Sequence, residues 1–139
     1  RPAVFIADAG TLVGVLSDQG RALRKSKGAG FVARNWLEND GDARDQMAAA
    51  LGWAKAANLG VISVRHVWRK DELTDLNCVS GEILVVAAPS PSSLPCTVYD
   101  LDRLKQTGAV ALHLREGKLV EQTARSVTGR RLWNTQVSQ

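Results

Sequence analysis

The stretch Gly81–Cys96, GEILVVAAPSPSSLPC, decides how the rest of the chain is read. Ile83-Leu84-Val85-Val86-Ala87-Ala88 is apolar at every position and too short for a membrane span. A short apolar run rich in β-branched residues and bounded by turn signals predicts a strand buried on both faces. Pro89, Pro91 and Pro95 follow, spaced by Ser90, Ser92 and Ser93. Proline fixes φ and lacks an N–H donor, so the strand has to stop there. A central strand that empties into a stiff polar loop is a common place for a site in mixed α/β proteins, and more often a plain surface turn.

Composition sets the outer bounds. The 139 residues are 45% hydrophobic and 23% charged, enough for one domain with its own core. The sequence starts at Arg1-Pro2 and its one methionine is Met47, so it reads as part of a longer chain. It shows no apolar run near twenty residues and no signal peptide, which predicts a piece that is soluble by itself. Lys and Arg number 18 against 14 Asp and Glu, a net charge of +4. That balance permits contact with nucleic acid or an anionic surface without requiring it. Cys78 and Cys96 flank the central strand and its loop. They fit either a pair of buried thiols or a bridge, depending on compartment and on the reach between them.

Upstream, Val4–Ala7, Thr11–Leu16 and Arg21–Arg24 predict an antiparallel meander, with Ser17-Asp18-Gln19-Gly20 as turn chemistry. The basic tract Arg24-Lys25-Ser26-Lys27 runs into Gly28 and Gly30 as a solvated loop. Phe31–Glu38 has helical spacing, with Phe31, Val32, Trp36 and Leu37 on its apolar side. Asn39-Asp40-Gly41-Asp42 superficially resembles a calcium loop. Its twelfth position is Ala50 rather than glutamate, so capping by Asp42 of the next helix explains it better. Ala43–Ala57 is alanine-rich and helical, interrupted at Gly52 and stopped over Asn58–Gly60.

Val61–Trp68 alternates with period two, Ile62, Val64, His66 and Trp68 facing one way and Ser63 and Arg65 the other. Lys70–Asn77 predicts one or two helical turns. Thr97–Tyr99 is a short strand, Asp100 caps a helix over Leu101–Gln106, and Gly108 closes it. Ala109–Leu114 and Leu119–Thr123 form a last hairpin around Glu116-Gly117. The expected architecture is α+β, with α/β as the alternative: a mixed sheet of about eight strands with three or four packed helices. Residues 1–126 form the domain and residues 127–139 a polar, basic tail.

Motifs for chemistry are missing. His66 and His113 each stand alone in a strand, without HxH, HExxH or Cys-x-x-Cys, and zinc needs three or four convergent ligands. No GxSxG elbow, GxxxxGK[ST] loop or GxGxxG turn occurs. Asp8, Asp18, Asp100 and Asp102 all have turn or capping explanations. No catalytic residue, metal ligand or cofactor is assigned.

The opening VFIADAGTLVGVLSDQGRALRKS, the helix ending in WLENDGD, and CVSGEILVVAAPSPSSLPC together resemble the C-terminal domain of the ComEC family of competence proteins. VYDLDRLKQTGAVALHL and GRRLW resemble it as well, and the better match is to alphaproteobacterial members. Those are multispanning membrane proteins associated with DNA uptake. The resemblance implies a metallo-β-lactamase-like fold, in better-known members a nuclease with an HxHxDH metal motif. Nothing here matches that motif, and Asp8-Ala9-Gly10 stands in place of a Gly-Gln-Gly-Asp turn. The chain therefore resembles a shortened, degenerate metallo-β-lactamase-like half that keeps the scaffold without the metal centre. A further mid-domain cysteine pair of the alphaproteobacterial members is absent, whereas Cys78 and Cys96 match their later pair, which implies a disulfide.

The expected function is thus a non-catalytic soluble domain at the bacterial inner membrane that contacts single-stranded DNA during uptake. Arg21, Arg24, Lys25 and Lys27 would meet phosphates, with Arg125, Arg130 and Arg131 joining them. Trp36, Trp53 and Trp68 sit on patterned elements and are expected in the core, while Trp133 is free in the tail. The partners implied are the transmembrane part of the parent protein, single-stranded DNA and the uptake machinery. A bridged cysteine pair would favour the periplasmic side. Two alternatives stand beside this: a docking module without DNA affinity, and a cryptic metal-dependent nuclease using Asp8, Asp40 and Asp42.

Overall fold

A computed structural model describes residues 1–59, 62–91 and 93–126. Val61, Ser92, Arg130, Arg131 and Trp133 lie outside the described residues. The fold is α+β, built on two sheets. The first is antiparallel: β1 (Val4–Ile6), β2 (Val13–Ser17), β3 (Gly20–Leu23), β8 (Val110–Arg115) and β9 (Lys118–Thr123), in the order β3-β2-β1-β8-β9. The second holds β4 (Asn58–Leu59), β5 (Ile62–Val67), β6 (Ile83–Val86) and β7 (Thr97–Tyr99) in chain order, with β5, β6 and β7 parallel.

The two sheets face one another, as the period-two alternation requires. Val4, Ile6, Val13, Val15, Val110 and Leu112 of the first sheet share one core with Ile62, Val64, Ile83, Val85 and Tyr99 of the second. The neighbouring positions point outward and are covered in turn. Helices α1 (Gly30–Asn39) and α2 (Gln46–Ala50) lie over Leu12 and Leu23, burying Ala33, Trp36, Leu37 and Ala49. Leu73 of α4 (Lys70–Leu73), together with Leu76, Leu94 and the cysteine pair, covers Val67, Leu84 and Val86. Helices α3 (Trp53–Ala56) and α5 (Leu101–Thr107) send Ala56 and Leu104 into the core between the sheets.

The central strand behaves as its sequence demands. Ile83, Leu84, Val85 and Val86 are all buried, alternating between the inner core and the outer one. Ser90, Pro91 and Leu94, on the crossover to β7, line an open cavity of about 390 Å³ together with Val98, Asp100 and Arg103. There Asp100 binds the Ser90 N–H and hydroxyl at 3.1 and 3.2 Å while also capping α5 through the Arg103 N–H at 2.9 Å. Burial works against the ionised Asp100, but those donors win and hold its carboxyl below the usual range. Cys78 and Cys96 form a disulfide. It ties the segments that lead into β6 and β7, so it sits where these parallel strands begin. The last hairpin is clasped to β7 by Glu121, which accepts the Tyr99 O–H at 2.5 Å and an Arg103 N–H at 3.1 Å.

The alanine-rich stretch breaks into α2 and α3 at Leu51-Gly52, where its glycine is expected to interrupt it. One local expectation changes. The cap of α2 is Asp45, whose carboxylate accepts from the Ala48 N–H at 2.9 Å, because Asp42 is committed to Arg44 instead. No helix among the described residues is long and apolar enough to cross a membrane.

Candidate nucleic-acid interface

Strand β5 ends at Val67, and with it the rule that sends alternate residues inward. Trp68 is the first residue past that end, and it turns out to the rim half-buried instead of entering the core. Strand β3 ends at Leu23 on the same side of the molecule and delivers Arg24 and Lys25 to the same indole. The Arg24 guanidinium lies 4.6 Å from the ring centroid, the Lys25 ammonium 4.5 Å, and the Arg69 guanidinium 5.8 Å. With Ser26 and Lys27 these residues line an open cavity of about 310 Å³.

Below the indole stands His66, 97% removed from solvent by its 3% exposure, its ring 4.9 Å from that of Trp68. His66 Nε2 lies 2.6 Å from the carbonyl oxygen of Gly10, in the short 3-10 turn Asp8–Gly10. A carbonyl can only accept, so Nε2 carries the proton and Nδ1 is a bare acceptor. Nδ1 has no partner among the described residues. Burial above all pushes the imidazole down to about 4, with Lys25 and Arg24 adding to the shift and the Gly10 bond opposing it. His66 is therefore a neutral, fixed footing under Trp68 at neutral pH.

The electrostatics of the cluster are lopsided. None of Arg24, Lys25, Lys27 and Arg69 forms a salt bridge among the described residues. Burial lowers Arg24 from its ordinary value; Glu72 works against that shift and Arg69 reinforces it. Lys25 is lowered by burial and then by Arg24. Three cations held over one aromatic ring and a fourth, Lys27, on the same cavity, with a carboxylate near but not in contact, make a site whose missing complement is an anion.

The other expected phosphate contacts part company with this cluster. Arg21 does not meet phosphate: it is 0% exposed and bound through Nε and Nη2 to Asp40 at 2.7 and 3.0 Å. Its remaining donor reaches the Pro2 carbonyl at 2.8 Å, and its guanidinium covers the Phe5 ring at 4.5 Å. Arg21 shares β3 with Ala22 and Leu23, and its alternate position points it under α1, where water is excluded. Lys25 and Lys27 join Arg24 at the cavity as the sequence suggests. Arg125 reaches back to the Gln106 carbonyl at 3.5 Å and lines no part of this cavity. Arg130 and Arg131 fall outside the described residues.

Trp36 is core, stacked on Phe5 at 5.1 Å, and Trp53 packs against the central cluster. Trp68 corrects the expectation of a third core tryptophan, and Arg69 was not singled out at all. Its signal was available: Trp68-Arg69-Lys70 places an aromatic between a strand end and two cations. Two of the three carboxylates proposed for metal are spoken for. Both oxygens of Asp40 hold Arg21, and Asp42 is held below its ordinary value, first by its hydrogen bonds from Arg44. Among the described residues no three His, Cys, Asp or Glu side chains gather as a metal site would need. No protein-family model, curated protein or solved structure matches the chain.

Proposed function

We propose that this chain is a non-catalytic domain of a membrane DNA-uptake protein of the ComEC type, and that it holds single-stranded DNA by its phosphates at the Trp68 cavity. The observation that carries the reading is the set Arg24, Lys25, Lys27 and Arg69 at one cavity, without a salt bridge among the described residues and with three of the four over the Trp68 indole. An antiparallel sheet facing a mixed one, with helices on their outer faces, fits the scaffold that the sequence resemblance implies. The Cys78–Cys96 bridge supports a periplasmic placement, because thiols stay reduced in the cytosol. The transmembrane part of the parent chain and the uptake machinery are the protein partners of this reading.

Salt dependence tests it. Each phosphate neutralised on a single strand contributes a slope of about −0.7 in log affinity against log salt. Four contacts then predict a fall of roughly fifty-fold between 50 and 200 mM salt. Fluorescence polarisation of a labelled single strand, with and without magnesium or manganese, reads this directly. Steep weakening with an intact probe supports the proposal. No binding at low salt rejects it and leaves docking, which Phe31 and Leu51 favour by standing 74% and 85% exposed on the helical layer. Loss of the probe only with metal would revive the nuclease alternative.

A further inference from the structure

We infer that Trp68 reads strandedness: its indole takes one unpaired base while the cations around it take the adjoining phosphates. The inference rests on the cavity being a nucleic-acid interface and adds the group that separates single strand from duplex.

Three features point to it. The indole is half-buried at the rim of a cavity of about 310 Å³ whose other lining is polar and cationic. It stands on a buried ring, His66, which is itself pinned to the Gly10 carbonyl, so the platform is set before any ligand arrives. Its present neighbours are weak competitors. An exposed cation–π contact is worth about two- to five-fold in an equilibrium. A stacked base is worth about five- to 150-fold. A base can therefore displace Lys25 or Arg24 from the ring, and the displaced cation, which forms no salt bridge among the described residues, moves onto phosphate.

Bases inside a duplex have both faces covered, so a duplex can use the cations but not the indole. The geometry thus divides the labour: lysines and arginines set affinity and salt slope, and Trp68 sets the preference for an unpaired strand.

The test compares a labelled oligothymidine with a duplex of equal length against the 139-residue chain and its Trp68→Leu and Trp68→Phe variants. Leucine keeps apolar cover over His66 without an aromatic face, and phenylalanine restores the face. Trp68→Leu is expected to bind single strand about ten-fold more weakly, with duplex affinity and salt slope unchanged. Trp68→Phe should stay within about two- to three-fold of the parent. An equal loss on both probes, or no loss on either, overturns this inference while leaving the phosphate reading in place. If the parent chain binds neither probe but sediments with anionic vesicles, both fall and the cations belong to a lipid surface. Circular dichroism melts of the two variants matching the parent assign any loss to the site rather than to folding.

Discussion

Replacing Asp40 by alanine would strand a charge in the dry interior. Arg21 and Asp40 have side chains 0% and 2% exposed, and the pair is joined by two hydrogen bonds. Without the carboxylate, Arg21 keeps only the Pro2 carbonyl and the face of Phe5. Removing one partner of a buried ion pair typically costs 3–5 kcal/mol, so about 4 kcal/mol is expected here. A domain has only about 5–15 kcal/mol in total, so this one change removes a large fraction. In a chain of this size it lowers the melting temperature by roughly 8–16 °C. Urea denaturation followed by circular dichroism measures the loss. The double variant Arg21→Met/Asp40→Leu, which removes both charges and keeps apolar volume, should return to within about 1 kcal/mol of the parent. A loss below about 1 kcal/mol in Asp40→Ala would refute the reasoning. So would a double variant no more stable than the single one.

Two further outcomes are expected. His66 titrates near 4 in the folded protein against an ordinary 6.5, so between those values the unfolded chain binds a proton that the folded one refuses. The stability this contributes is complete above about pH 6.5 and drains as pH falls toward 4, a loss on the order of 3 kcal/mol. His66→Gln should remove that part of the pH dependence, and parallel stability curves for parent and variant through the window would contradict the assignment. Cys78 and Cys96 are 18 residues apart, and opening that loop should cost about 3 kcal/mol, a melting shift of roughly 6–12 °C. Cys78→Ala/Cys96→Ala melting with the parent, or free thiols titrating in the oxidised protein, would show that the bridge does not form.

What could be read from the sequence was whatever is decided locally. Ile83–Val86 announces a doubly buried strand because every position is apolar, and Asp100 announces a cap because its partner, the Arg103 N–H, is three residues away. His66 faces inward because Ile62 and Val64 set the phase of its strand. Arg21 was opaque for the opposite reason. A cation on a short strand beside Arg24 and Lys25 looks exposed until α1 closes over it and brings Asp40 from 19 residues away. Trp68 was misplaced because alternation holds only while the strand lasts, and the strand stops one residue short of it. The cation cluster needed both facts at once, since it joins the ends of β3 and β5, elements far apart in the chain.

The position of β1 in the first sheet governs how the domain can be made. Its two neighbours are β2, met within a few residues, and β8, which pairs Ile6 with Val110 across roughly a hundred residues of intervening chain. During synthesis the opening meander can form early, but one edge of β1, with Val4 and Ile6 still uncovered, has to wait for nearly the whole domain to emerge. Ribosomal pausing before β8 would lengthen that exposure, and foreign strands would find there the hydrogen-bonding edge that β8 is meant to occupy. Closure of the sheet by a late, distant strand makes this a slow, all-or-none folder whose weakest moment comes just before completion.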